Sequence, residues 1–208
     1  MVRVSAPALS LDASGSIAGS MTYSKWKGRN YVRSLVIPAN PKSGPQVGVR
    51  SMFRFLTQEW NGLDAAPQAT WKDRADAQAI SPFNAYVQYN QFRWRNFLAP
   101  TQDFPEVETP FSGTLGALTA VEGIRSVTVT QAVTAAGNGW GMAFFRSPTG
   151  TFTTAFSNLK RVVKFNGTED IVFIDTPLDP GTYYYNARSI SDDGDLGAEG
   201  TECDATVT

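Results

Sequence analysis

The residues best equipped for chemistry sit in one short run, Lys25-Trp26-Lys27-Gly28-Arg29-Asn30-Tyr31-Val32-Arg33. Cationic side chains are interleaved there with two aromatic rings. Ammonium and guanidinium groups pair with phosphates or carboxylates, and flat rings stack on bases or fill pockets in a partner protein. The run therefore has three readings. It is an interface to an acidic protein surface, or it holds nucleic acid, or its rings cap the chain's own core while the cations stay solvated. Residues 1–104 carry a net charge of only +6, a small excess for a nucleic-acid binder, and the interface reading leads. Its candidate residues are Lys25, Trp26, Lys27, Arg29, Tyr31 and Arg33.

Other reactive constellations are thin. The chain has no histidine, which removes the usual general base and the commonest transition-metal ligand. Serine and cysteine triads and zinc hydrolase sites go with it. No pair of carboxylates stands out for glycosidase chemistry. Asp192-Asp193-Gly194-Asp195 hints at calcium but lacks the later bidentate glutamate, and reads better as a loop between strands. Gly137, Gly139 and Gly141 lack the lysine and strand-to-helix setting of a phosphate loop. Asn166-Gly167-Thr168 matches a glycosylation acceptor by chance, given no expected secretory signal. The single Cys203 forms no internal disulfide and reads as a buried or inert thiol. In Phe92-Arg93-Trp94-Arg95, Trp94 belongs to an apolar stripe, while Arg93 and Arg95 lie off it as surface charge. No catalytic, cofactor or metal residue is expected, and the chain reads as a non-enzyme.

The elements that position the cationic run are legible from period and punctuation. Residues Ile17 to Tyr23 and Tyr31 to Ile37 predict a hairpin with a somewhat long polar loop, ended by Pro38 and Pro41. A helix begins at Ser43, where Gln46 completes a capping box and Pro45 suits the first turn. Val49, Met52, Phe53, Leu56, Trp60 and Leu63 follow at steps of three or four. A second helix is predicted from about Pro67 to Gln78. A third has Ser81 as cap and Pro82 as first residue, with Phe83, Tyr86, Val87, Asn90, Trp94, Phe97 and Leu98 in helical spacing.

Ala99 to Pro110 holds three prolines among acids and threonines, which predicts a stiff connector. Beyond it the period becomes two. Strands are predicted at about 109–115, 124–133, 141–146, 162–165, 171–175, 182–190 and 203–207, with Asn138-Gly139 as a hairpin turn. The fold class is thus an α+β domain, residues 1–104, followed by an all-β sandwich, residues 105–208. The charge divides the same way, +6 against −7. No apolar run is long enough to span a bilayer, and Met1-Val2-Arg3-Val4-Ser5 lacks the apolar centre of a signal peptide.

Two resemblances add a setting. Leu178-Asp179-Pro180-Gly181-Thr182-Tyr183-Tyr184-Tyr185, then Ala187-Arg188-Ser189-Ile190 and Asp192-Asp193-Gly194, resembles the late strands of a fibronectin type III or immunoglobulin-like domain. That likeness implies a tyrosine corner at Tyr183 or Tyr184, with Tyr183 favoured because it puts Tyr185 and Ala187 inward with it, and it makes Trp140 the place to look for the family's core tryptophan. Ser24-Lys25-Trp26-Lys27-Gly28-Arg29-Asn30-Tyr31-Val32-Arg33 with Ile37-Pro38-Ala39-Asn40-Pro41-Lys42, Trp60, Trp71 and Ser81-Pro82-Phe83-Asn84-Ala85-Tyr86-Val87 is similar to a small domain that recurs in uncharacterised phage proteins. Together they imply a virion protein made in the host cytoplasm, with no cofactor. The reading favoured is a head decoration or cement protein whose N-terminal part anchors on the major capsid protein or another virion protein, as a homo-oligomer or in many copies. A neck, tail or host-adsorption component is the alternative. A nucleic-acid-binding protein is the second alternative. No membrane partner is implied.

Overall fold

A two-residue turn sets the geometry of the N-terminal sheet. The computed structural model describes residues 2–3, 15–17, 20–37, 43–165, 169–192 and 194–208. The chain divides into two compact units, residues 1–41 and 42–208. In the first, β1 (Val2–Arg3), β2 (Gly15–Ile17), β3 (Met21–Trp26) and β4 (Arg29–Ser34) form an antiparallel sheet in the order β1-β4-β3-β2. Lys27 and Gly28 have φ of 47° and 76°, so the β3–β4 connection is a tight turn with both central residues left-handed. Such a turn matches the twist of the strands. The ladder therefore runs out to the Trp26↔Arg29 pair, and the long loop expected here is absent.

The second unit carries four helices and seven strands among its described residues. The helices are α1 (Gly44–Trp60), α2 (Ala65–Thr70), α3 (Lys72–Gln78) and α4 (Pro82–Arg95). The helix expected over 67–78 is thus two short ones that meet at Trp71. The Ser81 hydroxyl accepts the Asn84 amide at 3.2 Å, as a cap should. The Ser43 side chain makes no capping bond, and α1 starts on the Ser43 carbonyl, which accepts from Val47 N at 2.9 Å.

The strands are β5 (Thr114–Gly123), β6 (Ser126–Ala135), β7 (Gly141–Ser147), β8 (Leu159–Lys164), β9 (Ile171–Asp175), β10 (Gly181–Ile190) and β11 (Cys203–Val207). They form antiparallel sheets ordered β5-β6-β9 and β11-β10-β7-β8. Val127, Val129, Met142, Phe144, Phe173, Tyr185 and Val207 fill the space between the two sheets. The overall class is therefore mixed α+β with sandwich-like β content. Asn138-Gly139 makes no hairpin, since β6 and β7 lie in different sheets. The Asn138 amide instead donates to the carbonyls of Thr109 and Pro110 at 3.1 and 2.9 Å, and its oxygen accepts from Ser112 N at 2.8 Å. The first sandwich strand accordingly begins at Thr114 and not near 109.

A second core lies on the other face of β7. Ala143, Phe145, Leu159, Val162 and Ile190 pack there against Met52, Phe55, Leu56, Trp71, Tyr86 and Trp94 of the helices. Trp140 joins this layer, its ring 5.3 Å from that of Phe55, and so lies under the helices and not between the sheets. Helix α1 lies close because Gly44 faces backbone: a Cβ on it would stand 1.8 Å from the Ser157 carbonyl oxygen. Ser51 Oγ then accepts the Val162 amide of β8 at 2.7 Å.

The expected connector is bonded into this unit. Trp71 Nε1 donates to Gln102 O at 2.8 Å, and Asn90 exchanges two bonds of 2.9 and 2.8 Å with the Thr101 backbone. Ala99 N donates to Gly194 O at 3.1 Å. Buried backbone groups need such partners, and here they come from both the helices and the sandwich. The division expected at 104/105 consequently runs through the interior of the second unit. No helix among the described residues is long and apolar enough to cross a membrane.

Candidate functional site

Alternation along β3 and β4 sorts the cationic run onto two faces. Residues opposed across an antiparallel ladder project to the same side. Trp26 opposes Arg29, Ser24 opposes Tyr31, and Thr22 opposes Arg33, so Trp26, Arg29, Tyr31 and Arg33 share one face. Lys25 opposes Asn30 and belongs to the other, with Tyr23 and Val32. Lys27 sits in the turn, and its Nζ lies 4.8 Å from the centre of the Trp26 ring. The structure thus gathers five of the six candidate residues and separates Lys25 from them.

Trp26 is 63% exposed, Lys27, Arg29 and Arg33 are exposed, and Tyr31 is half-buried. The row from Trp26 to Thr22 spans about 13 Å at roughly 3.3 Å per residue. Covering the exposed part of the indole removes about 100–150 Å² of apolar surface, of order 3 kcal/mol. Three cations around it favour a partner face rich in carboxylates or phosphates.

The other sequence candidates resolve into structural parts. Trp94 is fully buried, as its spacing predicted. Arg93 is buried as well, not surface charge. Its Nε donates to Ala99 O at 2.6 Å, and its Nη1 reaches Glu106 Oε1 at 3.3 Å. Arg95 is exposed. The Asp192 carboxylate accepts from Gln102 N at 3.0 Å, and burial pushes its pKa up to about 6. Asp193 and Asn166-Gly167-Thr168 lie outside the described residues. No group of three or more His, Cys, Asp or Glu is placed to hold a metal among the described residues. Burial and nearby carboxylates push the Cys203 thiol up to about 11, which suits an unreactive sulfur.

One surface was not anticipated. Val49, Arg50 and Phe53 of α1 and Gln91 and Arg95 of α4 line a groove of about 400 Å³. Phe53 is 50% exposed within it. Arg50, Phe53 and Arg54 stand at i, i+3 and i+4, a signal visible in the sequence, although Phe53 also fits the apolar period of α1.

No protein-family model matches the chain, and no curated protein sequence does. Parts of it superpose on solved structures. A pectate lyase, Pel3 from Pectobacterium carotovorum, is 15% identical over 42% of this chain and 26% of its own, with a TM-score of 0.33. A β-1,2-glucanase from Parabacteroides distasonis is 13% identical over 46% of this chain and 13% of its own, at 0.35. The PKD domain of an M14-like peptidase from Thermoplasmatales archaeon SCGC AB-540-F20 is 16% identical over 49% of this chain and 97% of its own, at 0.27. The matched part thus spans about a quarter or less of the two enzymes. At such low TM-scores, fold and function rest on the chain's own geometry.

Proposed function

We propose that this chain is a non-enzymatic structural component of a phage particle, a head decoration protein that docks through the exposed face of its β3–β4 hairpin. The observation that carries the reading is the row of Trp26, Arg29, Tyr31 and Arg33 on one side of a tight hairpin, with the indole 63% exposed. Aromatic and arginine side chains of this kind are the usual anchors of protein interfaces. The N-terminal likeness to a phage-type domain supplies the setting, and that step is analogy. The anchor takes the acidic surface of a shell protein, and many equivalent sites make a modest contact effective by occupancy.

The second unit is the part presented. The fibronectin type III-like reading of its strands has support in one corner. Tyr183 Oη donates to Asp179 O at 2.9 Å, and Tyr185 and Ala187 point into the sandwich core with it. A tyrosine bonded back to the chain a few residues upstream is how such domains fix that bend.

The test replaces Trp26 and Arg29 with alanine and quantifies the chain in purified particles by mass spectrometry. Both positions are exposed, so folding survives, and incorporation falls at least tenfold. Full incorporation of a folded double variant rejects the anchor. A copy number of six or twelve in place of many moves the protein from shell to neck or tail.

A further inference from the structure

The groove between α1 and α4 is unexplained by the hairpin reading. It is concave and largely apolar at its floor, and it opens beside Arg50 and Arg95. Arg54 follows Phe53 on the same outward face of α1. Arg161 of β8 is close enough to feel it: burial first, and then the charge of Arg54, push the Arg161 guanidinium below its ordinary range. Among the described residues no carboxylate lines the groove. An exposed phenylalanine beside the exposed Arg95 suits an anionic group next to an apolar one.

The chain itself displays that combination elsewhere. Val107 is 61% exposed in the strap after α4. Glu108 follows it, exposed, with its side chain lying over Gly194: a Cβ there would stand 2.9 Å from Glu108 Oε1. Asp195, also exposed, comes next in the chain. Pro105 and Pro110 bracket the segment and limit its freedom, so little entropy is lost on docking. The strap lies against the Tyr89 and Arg93 side of α4, through the Glu106 carboxylate. Gln91 and Arg95 face another side of that helix, roughly 200° round from Tyr89 and Arg93 at about 100° per residue. One copy's groove and its own strap therefore point apart, as a head-to-tail contact requires.

We propose that the groove between α1 and α4 receives the Val107-Glu108 segment of a second copy of this chain. Val107 packs on Phe53 and Val49, and Glu108 pairs with Arg95. The contact is heterologous, so repeated use builds a ring or a row of subunits and not a closed twofold dimer. It is far smaller than a standard interface, so association is weak and depends on local concentration.

Sedimentation velocity on the full chain tests this, from about 10 μM to about 1 mM, a span suited to weak contacts. The sedimentation coefficient rises with concentration, and the rise is lost in high salt. Arg95→Glu and Glu108→Arg, both at exposed positions, each sediment as monomers. An equimolar mixture of the two associates again, because the groove of Glu108→Arg takes the intact segment of Arg95→Glu and the reversed pair is complementary as well. Trp26→Ala leaves the association unchanged. A monomer at every concentration overturns the proposal. So does association that survives either charge reversal, or a mixture that stays monomeric. Tight binding of a (dT)20 oligonucleotide, abolished by Arg95→Glu and without self-association, assigns the groove to nucleic acid instead.

Discussion

Phe145 decides whether helices and sandwich are one folding unit. Its ring is fully buried in the layer between sheet and helices, 5.9 Å from the Phe97 ring at an interplanar angle of 70°. Phe145→Ala removes that ring from a closed layer. Large-to-small changes of this kind cost about 3–5 kcal/mol, of which the edge-to-face pair accounts for about 1. A domain of this size holds about 5–15 kcal/mol in all, so the loss is about a fifth of the total or more. The assay is urea unfolding followed by tryptophan fluorescence and far-ultraviolet circular dichroism. Trp71 and Trp94, both fully buried, report the helical side, whereas the dichroism also follows the strands. The expected result is one transition, with both probes displaced together to lower urea. Fluorescence that unfolds at the wild-type midpoint while the strands unfold early refutes the shared core, and restores a domain break near residue 104.

Two smaller changes probe single contacts. Asp192 has a folded-state pKa near 6, above its ordinary 3.8, chiefly because burial disfavours the charge. The folded chain then holds an extra proton between those values, and this group's contribution is complete below about pH 4 and is lost as pH rises through 6. Asp192→Asn keeps the acceptor for Gln102 N without the charge, and gains about 3 kcal/mol at pH 7 and little at pH 4. Thermal melts at the two pH values show it, and an equal shift at both refutes the account. Tyr183→Phe keeps the ring and deletes the bond to Asp179 O, costing about 1 kcal/mol in urea titration. No change there removes the corner as a stabilising contact.

Local pattern was a good guide where local rules decide. Ser81 before Pro82 marks α4 because the cap is made with Asn84, three residues on. Asp179-Pro180-Gly181 bends the chain just before Tyr183, whose hydroxyl donates to the Asp179 carbonyl four residues back. The division of the chain misled because it depends on what covers β7. The run Gly141-Met142-Ala143-Phe144-Phe145 has no polar alternation. An unbroken apolar strand is buried on both faces, and the second face calls for the helices. That signal was present but was outweighed by the prolines after Ala99. Arg93 was unreadable as a clamp, since its partners Ala99, Glu106 and Gly194 are brought together only by the strap. The hairpin row needed register: Lys25 and Trp26 are adjacent in sequence and end on opposite faces.

The bond from the Val162 amide to Ser51 Oγ has a bearing on crowding. Sheets end in unsatisfied donors and acceptors that recruit strands from neighbours, and α1 lies along this rim with its own hydroxyl in place. A strand from another molecule would have to displace α1 before it could pair with β8 at Val162.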